Sequence, residues 1–396
     1  MHNNARTPII HISRTVYAMS WYNIAPGLIF IQSDFNLSIE QLGILTTIFY
    51  VGVAIFQVPG GFIGTRFGNG NAAALGLCLL GFSGIFSAVS PGYTILLASR
   101  FMAGVGAAFF FSPAIGLLRS ITSDRAYSFH INVFNGAFNV GAATGIFGWQ
   151  FLDELVGWRD GFLIAGLITL AVAGIYYLSM RSVRDKSTPT ARSDLVKATR
   201  NPYIWIFAVS ALACVISENV VGQFLVYYME KGLHYPSSVS SLSGTLFLLS
   251  GFAGGVLGGI IAHRYGVGVK SFILATSITG LLIIFLPFAG SLYAIYITVA
   301  ILGMVTIEGF SIIYILISRN IAHSGHTAFS LSVVNLVQES VGSVWPAIFT
   351  FLKAGYSFEV AWFMMGASSL LFMLPLLLLK RITGTGTVHS SSRKSS

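Results

Sequence analysis

Charge is what this sequence lacks most. Only 9% of its 396 residues are charged, 13 acids against 22 lysines and arginines, where a soluble domain carries about 25%. A soluble fold of this length cannot keep its surface wet with so few charges, so apolar surface must face lipid. Cysteine is scarce as well. Cys78 and Cys214 lie inside apolar stretches with no metal or disulfide spacing and read as small buried hydrophobes. The patterns GxxxxGKS/T and HExxH are absent, which excludes a phosphate-cradling ATP engine in this chain and one class of intramembrane protease. The basic residues are scattered in short turns, so the net charge of +9 does not point to nucleic acid. Residues 1–8 are polar and lack a small-residue cleavage site, and the first apolar run is expected to stay as a helix.

What is present is apolar sequence in long runs. Hydrophobic residues make up 55% of the chain, in stretches of about 18–25 residues, the length of a helix crossing a ~30 Å hydrocarbon core. Lipid admits only helices or closed barrels, because no water satisfies the backbone there, and barrel strands would alternate polar and apolar residues instead. The sequence therefore predicts an all-α membrane protein of twelve transmembrane helices. They fall at about 9–31, 41–64, 70–90, 92–118, 128–152, 158–180, 202–231, 238–262, 270–288, 291–318, 327–353 and 357–380. With the N-terminus inside, 18 lysines and arginines lie on the cytoplasmic side, whereas Arg159, Lys231 and Lys353 lie outside and Arg100 sits within a helix. That bias predicts a multi-pass protein of the cell membrane with both termini cytoplasmic.

The chain also repeats itself. GGFIGTRFG, ending at Gly68, matches GGIIAHRYG, ending at Gly266, and the stretch from Arg119 to Asn135 matches that from Arg319 to Asn335, at offsets of 198 and 200. Two matches at nearly one offset imply a duplicated six-helix unit. The expected organisation is an N-terminal bundle over 1–180, a cytoplasmic linker over 181–201, a C-terminal bundle over 202–380 and a disordered cytoplasmic tail over 381–396. Duplicated halves around a central site are how many transporters alternate access.

These residues resemble the major facilitator superfamily. The loop motif Gly-x-x-x-Asp-Arg/Lys-x-Gly is met by Gly61, Arg66 and Gly68, with Thr65 in the acidic place, and again by Gly259, Arg264 and Gly266, with His263 there. A fourth-helix pattern is met by Arg100, Gly104, Gly106 and Ala108. The resemblance implies two pseudo-symmetric six-helix bundles rocking around a central cavity, with Gly61, Arg66, Gly68, Arg100, Gly104, Gly259, Arg264 and Gly266 serving that motion. Headgroup anchoring is the plainer reading of Arg66 and Arg264. FQVPGG and RFMAG look most like members that take up organic anions with protons, although Trp21 and Ala107 stand where those members carry an Arg and an acid. Helix five has Gly136, Gly141, Gly145 and Gly148 but lacks the proline of many drug antiporters.

Charges inside a membrane are costly and mark cavities or partners. Glu218, Glu308 and Glu339 qualify, and so does Arg14 near the start of helix one. A membrane carboxylate can take up a proton on one side and release it on the other, which makes Glu308 and Glu218 the expected proton-coupling groups. Glu308 is preferred because Gly309 beside it would admit solvent or ligand. A structural ion pair or a snorkelling end charge is the alternative for each. The substrate cavity is expected to involve Arg14, Tyr22, Asn135, Asn139, Asn335 and Glu339. Asn135 and Asn139 share a helix face and map at the 200 offset onto Asn335 and Glu339, although interhelical hydrogen bonding would explain the same stripe. The predicted function is secondary transport of a small polar or anionic organic solute by proton symport, with efflux of amphipathic compounds as the alternative and an intramembrane enzyme or receptor as the distant one. The expected partners are a small-molecule substrate, protons and the lipid bilayer. No cofactor or metal is expected, and the chain is expected to act as a monomer.

Overall fold

The computed structural model describes residues 6–183, 202–265, 268–321 and 327–376. The expected linker beyond Val183, the expected tail beyond Leu376 and Gly266 therefore lie outside the described residues, and so do the surroundings of Gly259 and the side chain of Arg264. The described chain is helical throughout. The first half holds α1 (Thr7–Tyr22), α2 (Ile24–Phe35), α3 (Ile39–Phe67), α4 (Asn69–Ala88), α5 (Tyr93–Ile121), α6 (Asp124–Val156) and α7 (Trp158–Met180). The second holds α8 (Pro202–Ile216), α9 (Gly222–Lys231), α10 (Ser237–Tyr265), α11 (Val269–Phe285), α12 (Leu292–Ile321), α13 (Thr327–Gly342), α14 (Trp345–Gly355) and α15 (Phe358–Phe372).

These elements make twelve crossings. Eight are long and apolar enough by themselves. Of the other four, α6 carries too many polar residues, α15 is short, and the first and eleventh crossings are each split in two. The splits have a covalent cause. Pro26 has no N–H and crowds the carbonyl four residues back, at Tyr22, where α1 ends. Pro346 does the same at Gly342, where α13 ends. The sequence reading gave both crossings as single helices; the prolines divide them.

Helix pairing repeats between the halves. The first crossing packs on the fifth as the seventh does on the eleventh, the second on the fourth as the eighth on the tenth, and the third on the sixth as the ninth on the twelfth. One contact shows how closely the repeat is kept. A side chain on Gly104 would strike the Phe49 carbonyl, and one on Gly303 would strike the Phe247 carbonyl. The equivalent positions are about 200 residues apart, so the two bundles are copies of one packing scheme.

The halves touch along α6 and α10, and again at the end of the bundle where α2 turns into α3 and α9 into α10. There the Tyr227 hydroxyl donates to Gln32 Oε1 at 2.9 Å, and the Ala347 amide donates to Thr47 Oγ1 at 3.1 Å. That end also carries the ion pair Arg159–Asp34 at 3.0 Å, and Arg159 Nη1 donates to the carbonyls of Ala88 and Ser90.

Candidate functional site

The seventh crossing is one rod of three parts: α8, a π-helical turn over Ser217–Val221, and α9. Such a turn inserts an extra residue into the helix and re-aims the side chains around it. Glu218 stands in that turn. It is half-buried and lines a cavity of about 10 Å³ together with Asn139 of α6, Phe247 and Leu248 of α10, and Gly303, Thr306 and Ile307 of α12. That space suits about one water. Thr306 is fixed on the wall by a 2.9 Å hydrogen bond with Ser217.

Arg14 reaches the same junction from α1. Its side chain is 6% exposed, and its guanidinium carbon lies 4.5–4.8 Å from the ring centres of Tyr17, Phe111, Phe134 and Phe138. A desolvated cation on an aromatic face gains on the order of 2 kcal/mol per contact, which offsets part of the cost of taking the charge out of water. Nε and Nη1 of Arg14 have no hydrogen-bond partner. The charges of Glu218 and of the half-buried Glu339 both act on Arg14 and on each other. Neither carboxylate closes to a direct ion pair with it.

Side chains from the seventh crossing complete the junction. Asn219 Nδ2 donates to the Gly342 carbonyl at 3.1 Å, the acceptor left open by the missing N–H of Pro346. One turn on, Gln223 Nε2 donates to the Trp21 carbonyl at 3.3 Å and to the Tyr50 hydroxyl at 3.2 Å, next to the break made by Pro26. Both amides thus satisfy backbone at or beside a proline break, and Gln223 does so across the two halves. Tyr22 is fully buried against Gly222, its hydroxyl has no partner, and it feels the charges of Glu218 and Glu339. The sequence reading weighed the acids and missed Asn219, Gln223 and Tyr50. The signal lay in the run SENVVGQ, where neutral polar residues recur at helical spacing inside an apolar segment.

The remaining expected residues divide. Asn139 is buried on the cavity wall, Asn135 is exposed with its carbonyl accepting from Asn139 Nδ2 at 3.5 Å, and Asn335 is half-buried. Glu308 is half-buried but does not line the cavity that its neighbours Thr306 and Ile307 line. The reason given for preferring it does not hold: a side chain on Gly309 would strike Cys214 Sγ at 2.6 Å, so that glycine serves close packing of α12 on α8 and not the approach of a ligand. Arg100 is buried over the Phe49 ring at 4.8 Å, with Tyr50 in electrostatic reach, and Gly104 lets α5 close on α3. A side chain on Gly61 would meet open space, Arg66 is exposed, and Gly68 with φ +90° ends α3 and opens α4.

Twelve membrane crossings in two copies of one six-helix scheme, with a charged junction between them, define the class of solute transporters. The chain belongs to the Major Facilitator Superfamily, whose sequence profile matches residues 10–346. It is 22% identical over 382 residues to the uncharacterised MFS-type transporter YceJ of Bacillus subtilis, covering 93% of this chain and 94% of that one. It is 29% identical over 150 residues to the 4-hydroxybenzoate transporter PcaK of Pseudomonas aeruginosa, covering 38% of this chain and 33% of PcaK; two further curated relatives are matched over about half their length. In fold it is similar to a D-xylose-proton symporter, with a TM-score of 0.75 at 14% identity over 95% of this chain and 97% of the other. The chain is therefore a multi-pass membrane protein of that superfamily.

Proposed function

We propose that this transporter is a proton-coupled symporter of a small organic anion. The observation that carries the reading is the buried guanidinium of Arg14, with two unpartnered nitrogens, facing two carboxylates from the other half without pairing to either. A buried arginine that bonds Tyr17 and keeps two nitrogens open is suited to a planar carboxylate, which it holds through two parallel hydrogen bonds.

Electrostatics supplies the coupling. With both carboxyls ionised, Arg14, Glu218 and Glu339 together carry one positive and two negative charges. An incoming anion would add a third negative charge, and the like-charge repulsion in a poorly hydrated junction opposes its entry. Protonation of Glu218 or Glu339 removes that repulsion, so anion and proton enter together. Glu218 is the first choice because it lines the cavity, and Glu308, which neither lines it nor acts on Arg14, falls behind Glu339. Asn139 stands on the cavity wall, and Tyr22 lies within reach of both carboxylates. Rocking of the two halves would then carry the loaded site from one membrane face to the other. The name of PcaK and the proton coupling of the xylose symporter agree with this reading of solute and ion.

The test is uptake into proteoliposomes of labelled carboxylates, 4-hydroxybenzoate among them, with D-xylose as the uncharged contrast. A carboxylate should accumulate when the interior is made alkaline, and a protonophore should abolish the accumulation. Uptake of D-xylose alone would sink the anion, and uptake indifferent to the pH gradient would sink the coupling. The orientation follows the basic residues, with both termini and the 181–201 linker cytoplasmic. A cysteine in place of Ser193 should resist an impermeant thiol reagent in intact cells, and labelling from outside would reverse the orientation.

A further inference from the structure

Away from the charged junction, the loop between the second and third crossings borders a cavity of about 300 Å³. Its polar lining includes Thr65 and Arg66 at the end of α3, Asn71 in the first turn of α4, and Arg181 just past α7; no carboxylate lines it among the described residues. This volume is at the lower end of small-molecule sites, about ten times the share of one water in the liquid. Neither guanidinium has a hydrogen-bond or ion-pair partner among the described residues; Arg66 meets only the Phe67 ring, at 5.5 Å. A third cation stands beside them, since Arg6 Nη2 donates to Ser182 Oγ at 3.0 Å.

Depth argues for the kind of ligand. The 29 residues of α3 span about 43 Å at 1.5 Å per residue, against ~30 Å of hydrocarbon. Arg66, in its last turn, therefore stands at the level of lipid headgroups. Phe62 and Phe67 on the same turns are exposed, as suits the border of the apolar layer. Thr65, whose hydroxyl donates to the Phe62 carbonyl at 2.9 Å, leaves both arginines without a local acid.

We propose that this cavity binds a phosphate anion, supplied by the headgroup of an anionic lipid and held between Arg66 and Arg181. Arginine's planar fork matches phosphate oxygens in pairs, and basic clusters at the membrane surface recruit such headgroups. The bound phosphate ties the ends of α3, α4 and α7 together, in the place a side-chain carboxylate would fill if Thr65 were acidic. This site is separate from the proposed solute site and stands or falls apart from it.

The test uses the full chain purified in neutral detergent, read by thermal unfolding and by native mass spectrometry of retained lipid. Phosphatidylglycerol should raise the unfolding temperature and stay bound, whereas phosphatidylcholine should do neither. The double variant Arg66→Gln/Arg181→Gln should bind phosphatidylglycerol about thirty-fold more weakly, the loss expected for two interfacial cations. Arg119→Gln, also basic and at the same end of the bundle, should keep the response. If inorganic phosphate alone gives an Arg66- and Arg181-dependent shift and phosphatidylglycerol gives none, the phosphate site stands and its ligand is soluble. Should the double variant fail to fold, Thr65→Asp places a carboxylate beside the arginines and should release the lipid. Phosphatidylglycerol retained undiminished in Thr65→Asp or in the double variant, lost equally in Arg119→Gln, or without effect together with inorganic phosphate, overturns the proposal.

Discussion

The two halves of the bundle keep the same helix pairings and divide the membrane charges between them. Away from the helix ends, the first half contributes the basic Arg14 and Arg100, and the second contributes the acidic Glu218, Glu308 and Glu339. The glycine contacts at Gly104 and Gly303 survive in both copies, because any side chain there would push two helices apart. The charges away from the helix ends and the prolines do not repeat. The fifth crossing is continuous through Ile146, whereas its counterpart, the eleventh, breaks at Pro346. Packing was copied and chemistry diverged, and the divergence gathers where the halves face one another.

The two arginines sharpen this contrast. Arg14 lies in reach of two carboxylates from the opposite half, and Arg100 only of Tyr50 in its own. Arg14→Gln should lower anion binding on the order of a hundredfold, which corresponds to the upper range for a lost charge-assisted hydrogen bond, measured by equilibrium binding of a transported carboxylate. Arg100→Gln should instead reduce the yield of folded protein at nearly unchanged affinity. Equal loss of affinity in both would erase the distinction between them.

The carboxylates of the second half should separate next. Glu218→Gln keeps the shape and removes the titration, so it should abolish accumulation driven by a pH gradient and spare exchange at equal pH. Glu308→Gln should accumulate solute within about twofold of the parent, as is usual for a polar change outside a site. The reverse pattern in proteoliposome uptake would return the coupling role to Glu308.

A smaller effect tests the proline break. Asn219→Leu leaves the Gly342 carbonyl without its donor and should cost about 1–3 kcal/mol of stability. Pro346→Ala in the same chain restores an N–H four residues on and should recover much of that loss in thermal unfolding. No recovery would mean that Asn219 acts through something other than the broken helix. Least in magnitude, Asn139→Cys and Asn335→Cys should each react with a water-soluble thiol reagent and be shielded by solute. Inertness of both in every state would reduce the polar stripe to packing.

Much of this protein was legible in its sequence. Apolar runs of membrane length, the scarcity of charge and the repeat at about 200 residues determined the helices, their number and the family, because lipid demands that each helix satisfy its own backbone and this demand is met locally. Glu218, Glu339 and Arg14 could be singled out because a charge in an apolar run is visible one residue at a time. Their meeting could not be read that way. Which face of a helix turns toward the junction depends on the rotation of every neighbour, and the π turn at Ser217–Val221 changes that rotation without any proline to announce it. The pairing of Gln223 with Trp21 joins positions 202 apart in the chain. The dismissal of Gly309 as a ligand approach likewise rests on Cys214, almost a hundred residues earlier. Helix formation is a local bargain with lipid, whereas the site is a product of how twelve helices pack, and only the folded bundle decides it.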